Sequence, residues 1–172
     1  MRKTALLFLC LATISCSRKT PASDFPKVAE EAVYKILSFS PVTASGQGLH
    51  QYQGQDFDRE LDNLSFRAIQ KEREYYAELH KRLEQFDKES LSPEDRADYD
   101  VIEYQIGLGL FDIDIARSWQ RSPQSYVELL GTALFNPLVL EYAPKEQRFQ
   151  HIISRIEKIP GFLDVARRQL SN

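Results

Sequence analysis

The chain reads as an all-α protein: a mostly antiparallel bundle of about six helices, interrupted by one long loop over residues 40–64. Three observations predict this. Apolar residues recur at helical spacing through most of the 172 residues. Proline and small polar residues stand where helices begin. No segment with strand-like alternation has a second one to pair with.

The stretch "SDFPKVAEEAVYKILSF" offers Ser23 or Asp24 as a cap and Pro26 in the first turn, with Val28, Val33, Ile36 and Leu37 on one face. Pro41, Gly46, Gly48 and Gly54 then break the periodicity, so residues 40–64 read as loop. From Ser65 a long amphipathic helix carries Phe66, Ile69, Tyr76, Leu79, Leu83 and Phe86, with Lys, Glu and Arg on its other face. A third strong start follows, with Ser92 as cap, Pro93 at the first helical position, and Glu94 and Asp95 in the first turn.

The helix from Pro93 places Tyr99, Ile102, Ile106, Leu110 and Ile113 on one face. Val101, Tyr104, Leu108, Phe111 and Ile115 make it apolar elsewhere too, which predicts a central, buried helix. The alternation Ile106-Leu108-Leu110 with Gly107 and Gly109 also admits a strand; helix is favoured because nothing would pair with that strand. Pro123, Pro144 and Pro160 each precede a new periodicity, giving Tyr126–Leu140, Lys145–Lys158 and Gly161–Leu170. Phe149, Ile152, Ile153 and Ile156 mark the second of these, and Phe162, Leu163, Val165, Ala166 and Leu170 the third.

The N-terminus reads as an export signal. Arg2 and Lys3 precede the uncharged run "ALLFLCLATI", which is too short to cross a bilayer core of roughly 30 Å. The small residues of "ATISC" then lead to Cys16, resembling a bacterial lipoprotein signal over residues 1–15 with Cys16 as the lipidated residue. Ordinary secretion with cleavage near Ser15 and an uncleaved anchor are the alternatives, and all three export the chain. Residues 16–23 would be the lipidated cysteine and a tether, and residues 24–172 one helical domain. With Cys10 lost and Cys16 lipidated, no cysteine remains to form a disulfide. Losing Arg2 and Lys3 with the signal takes the formal charge from −3 to −5. That balance argues against nucleic acid and against a polybasic membrane surface, leaving the lipid as the membrane link.

Three histidines are the main candidates for chemistry. His80 has Glu84 four residues on and reads as a surface pair; His151 sits beside core positions and reads as structural. His50 lies in the long loop, where function concentrates. Asp56, Asp58, Glu60 and Asp62 beside it alternate like the start of a calcium loop, but the glycine and the terminal glutamate of that loop are missing. These acids read as turn and cap formers, with a place along a substrate cavity as the alternative. Asp112 and Asp114 read as partners of Arg117 near a helix end, and Trp119 as a packed indole at a corner between helices. No phosphate loop, serine elbow, Cys–His pair or His-Glu-x-x-His motif is present, so no catalytic residue is assigned.

Taken in order, "TASGQGLHQYQGQDFDRELDNLS", "LSPEDRADYDVIEYQI" and "YAPKEQRFQHIISRIEKIPGFLDVARRQL" resemble the N-terminal part of the bacterial domain-of-unknown-function 885 family. Its G-x-H-x-Y pattern falls on Gly48, His50 and Tyr52, followed by Leu61 and the run Asp62 to Ser65; Gln53 stands where the family often has Asp. The resemblance implies an exported helical protein similar to zinc metallopeptidases, whose zinc motif, of the H-E-x-x-x-H type, lies in the C-terminal half of full-length relatives. It implies no zinc or other cofactor in this chain, peptide hydrolysis in those relatives, and a partner that is either a peptide substrate or the missing C-terminal half. His50 and Tyr52 are the residues expected near substrate. The alternative is a stand-alone helical lipoprotein of the cell envelope that binds a peptide, lipid or protein.

Overall fold

The computed structural model describes residues 19–170, so the signal segment and Cys16 lie outside the described residues. The fold is all-α. Five long helices carry it: α1 Phe25–Ser38, α3 Phe66–Leu83, α4 Pro93–Phe111, α6 Pro123–Val139 and α7 Lys145–Leu170. Two short ones, α2 Pro41–Gly46 and α5 Ser118–Arg121, lie between them. The expected starts are present as capping contacts. The Ser65 side chain accepts from the Ala68 N–H, Ser92 from Asp95, and Ser122 from Ser125, each satisfying a donor that the first helical turn leaves free.

Two apolar clusters hold the helices together. The larger joins α1, α3 and α4 through Phe25, Ala32, Leu79, Leu83, Tyr99 and Ile106, with Trp119 of α5 at its edge. The smaller joins α2, α6 and α7 through Val42, Tyr126, Ala133, Phe162 and Ala166, and Leu64 packs against both. The α6–α7 pair is linked by a short connection and packs along its length, which obliges the two helices to run antiparallel.

Four sequence expectations are corrected. Residues 40–64 are not one loop: α2 occupies Pro41–Gly46, and β1 Gln51–Tyr52 pairs antiparallel with β2 Gln55–Asp56. The two-residue turn between these strands has both residues left-handed, Gln53 at φ 49° and Gly54 at φ 80°, as a tight hairpin requires. Helix α4 is confirmed as a helix but is not buried all round, because Val101, Tyr104, Leu108 and Phe111 face outward. Pro160 does not begin a new helix; it sits inside α7, where Phe162 and Ala166 beyond it pack against α6 and hold the continuation in line. Finally, Phe149, Ile153 and Ile156 are on the outside of α7, and the inward face is Arg148, His151 and Arg155.

Helix α4 ends in one wide π turn, Asp112–Ala116, and the chain then reverses at Arg117, whose backbone is left-handed at φ 52°. Asp114 does not pair with Arg117 as expected: it takes Arg73 of α3 at 2.7 Å. Arg117 instead donates to the Asp114 carbonyl, and Asp112 accepts from the Ser118 hydroxyl. The indole of Trp119 is buried and donates to the Ile113 carbonyl, so that corner is packed as expected.

Candidate functional site

The segment from α2 through the hairpin meets the start of α7 at a buried polar cluster centred on Asp58. This residue lies in a 3-10 turn, Phe57–Arg59, where the Asp56 carboxylate accepts from the Asp58 N–H. The turn buries Phe57 completely and carries Asp58 inward with it. One carboxylate oxygen of Asp58 accepts from the Ser45 hydroxyl at 2.6 Å and pairs with His50 Nδ1 at 2.9 Å. Its other oxygen lies 3.7 Å from Nδ1 of His151, which is beyond hydrogen-bond reach.

Tyr142 lies between the two imidazoles. Its ring stacks on His50 with centroids 4.7 Å apart and on His151 at 5.8 Å, and its hydroxyl is 3.0 Å from His151 Nδ1. Burial pulls the His151 pKa below its ordinary value, opposed by the nearby Asp58 charge. The neutral imidazole therefore accepts from the Tyr142 O–H. Burial also pushes that phenol up to about 12, so it remains a donor at any physiological pH.

Behind this layer lies Arg155, fully buried. It donates to the Ala133 carbonyl at 2.6 Å and to the Phe57 carbonyl at 3.1 Å. Arg148 similarly ties α7 to the end of α6 through the Pro137, Leu138 and Ala143 carbonyls. Asp62 is buried as well and accepts from the Val42 N–H at 2.9 Å at the start of α2. Burial raises its pKa to about 6, against the lowering effect of the Val42 bond and of Arg155.

His50 is thus oriented by a carboxylate, and its side chain remains 34% exposed. With Nδ1–H given to Asp58, Nε2 is the nitrogen left to accept a proton or a hydrogen bond from a neighbour. The arrangement does not make a nucleophilic triad. Ser45 donates to the Asp58 carboxylate and not to an imidazole, so the Ser–His contact of such a triad is missing. The other sequence candidate, Tyr52, packs with α1: its ring stacks on Tyr34 at 5.5 Å. His80 and Glu84 form an exposed pair at 3.9 Å, far from this cluster in the fold's outer surface. Among the described residues, no three or more His, Cys, Asp or Glu side chains converge as a metal site, and no helix is long and apolar enough to cross a membrane.

Sequence reasoning found His50 and passed over Ser45, Tyr142 and Arg155. Asp58 carried a usable signal, an acid eight residues from a loop histidine; the other three are brought in by tertiary packing alone.

What fold and site define together is a small helical domain organised around a buried carboxylate with two histidines. Its sequence matches, over residues 41–172, the family described as a bacterial protein of unknown function (DUF885), and the chain belongs to that family. No curated protein and no solved structure matches it.

Proposed function

We propose that this chain is the N-terminal helical portion of a longer exported lipoprotein similar to a zinc metallopeptidase, and that it binds peptide rather than cleaving it. The observation that carries this reading is the outward face of α4. Tyr104, Leu108 and Phe111 follow heptad spacing there and, with Ile115 in the π turn beyond, are each 45 to 64% exposed. A stripe of that kind is the seam by which one helix receives another. Similar apolar stripes lie outward on α6, with Val127, Phe135 and Leu138, and on α7, with Phe149, Ile153 and Ile156. Further helices of the same polypeptide would cover them and bring the zinc motif.

The rest of the reading draws on the sequence. Cys16 would carry the lipid and hold the domain on a membrane facing the periplasm or the exterior. His50, oriented by Asp58, and Tyr52 would lie toward the peptide. Zinc would be held outside this chain, so none of its residues is assigned as a ligand.

The test begins with the coding DNA beyond the codon for Asn172. A continuing frame with a zinc motif is expected, and its product should bind one zinc and hydrolyse peptides while residues 17–172 alone do neither. A stop codon with no homologous frame after it, together with a purified mature chain that is monomeric and binds no hydrophobic dye, would overturn the reading.

A further inference from the structure

A groove runs between α1 and α4. Its floor is Ala29, Ile102 and Tyr76, all buried, and its rims are the exposed Val33 and Val101. Two hollows of about 320 and 450 Å³ share Val33, Val101 and Ile102, so they form one continuous depression. Among the described residues, no Lys, Arg or His lines either of them. The first is flanked by the carboxylates of Glu30 and Asp98, neither of which has an ion pair or a side-chain hydrogen bond among the described residues. The second is lined by no charged residue and carries Thr43, Gln47 and Gln105, whose side chains likewise make no intramolecular hydrogen bond. Tyr34, stacked on Tyr52, stands beside the acidic end.

We propose that this groove binds an extended peptide with a positive charge at one end, seated at Glu30 and Asp98. The charge pattern selects the ligand. Two carboxylates with no ion pair, and with no cation among the described lining residues, favour an α-amine or a lysine or arginine side chain and reject an anion. The apolar floor takes one or two aliphatic side chains. The amides and hydroxyl at the uncharged end can pair with peptide N–H and C=O groups, which an alkyl chain would leave unsatisfied. The ligand class rests on the peptide reading above; the location and the charge preference rest on the groove alone.

The experiment uses the full lipidated chain in nanodiscs of neutral lipid. The probes are a dye-labelled pentapeptide, lysine-leucine-alanine-leucine-alanine, and its N-acetylated counterpart with glutamate in place of lysine, followed by fluorescence anisotropy. The lysine peptide should bind about tenfold more tightly than the glutamate peptide. The exposed pair Glu30→Gln with Asp98→Asn should cut that preference to about threefold or less, as expected for two exposed ion pairs, and leave the thermal melt unchanged. Val33→Trp, which fills the rim, should weaken both peptides. If the preference survives the double substitution, peptide binding stands and this groove is not its site. If neither peptide binds at millimolar concentration, the peptide reading falls as well. Binding of dodecyltrimethylammonium in place of the peptide would assign the groove to an amphiphile and overturn the proposal.

Discussion

Replacing Asp62 by Asn should stabilise this protein at neutral pH, although it removes a buried group that accepts a hydrogen bond. Asp62 is 8% exposed, and burial raises its pKa from the ordinary aspartate range to about 6. In the unfolded chain the same group titrates near 3.9. The folded state therefore takes up a proton before the unfolded state does, and stability rises as pH falls from above 6 toward 4. At pH 7.5 the ionised carboxylate costs the fold about 3 kcal/mol, from roughly two pKa units at about 1.4 kcal/mol each. An asparagine carries no charge to desolvate, and its carbonyl oxygen can still accept from the Val42 N–H. Urea unfolding followed by far-UV circular dichroism should show the variant about 1–3 kcal/mol more stable at pH 7.5. The difference should shrink through pH 6 and vanish near pH 4. Glu72, whose pKa burial raises, is pushed up further by the Asp62 charge, so the variant relieves that repulsion too and the gain keeps the same sign. Equal stability at pH 7.5, or two profiles that stay parallel between pH 4 and 6, would refute the reasoning and mean that Arg155 fully compensates the charge.

Other substitutions probe separate parts of the structure. Asp58→Ala strands the buried Ser45 hydroxyl and the His50 N–H, and should lower the unfolding free energy by about 2–4 kcal/mol in the same urea assay. Gln53→Asn relieves a left-handed residue at the hairpin turn, because asparagine tolerates that conformation; a gain of about 0.5–1 kcal/mol is expected, and a loss would show that the Gln53 contact with the Tyr52 hydroxyl matters more. Leu108→Lys with Ile115→Lys alters only outward positions on the α4 seam. Stability should change by less than about 1 kcal/mol, while hydrophobic dye binding falls; a collapse of cooperative unfolding would mean that those side chains belong to the core.

Where the sequence was legible, one physical rule acted alone. Ile69, Tyr76, Leu79 and Leu83 face inward on α3 because they are the apolar stripe of an otherwise charged helix, and Ser65 and Ser92 cap as their chemistry dictates. Helix α7 was not legible because it has two candidate faces. Periodicity favours Phe149, Ile153 and Ile156 as the inner one. The structure instead buries Arg148, His151 and Arg155: the two arginines satisfy the carbonyls of Ala133, Pro137, Leu138 and Phe57, and His151 takes the Tyr142 hydroxyl. No local pattern announces that a carbonyl 22 or 98 residues away needs a partner. The candidate site divides the same way: the His50–Asp58 contact spans eight residues and lies within one segment, whereas Tyr142 and His151 reach it only when α7 docks.

That docking has a consequence for the order in which the molecule is built. The bond from Arg155 to the Phe57 carbonyl spans 98 residues, and the one from Gln169 to the Leu64 carbonyl spans 105. Helices α1, α3 and α4 can assemble their own core from nearer neighbours, whereas Val42 and Leu61 find their apolar partners on α6 and α7. Residues 41–64 are held by α7, which is synthesised after all of them. A chain emerging N-terminus first would carry this segment without those bonds until α7 has emerged, and a protease present before then should cut it there first.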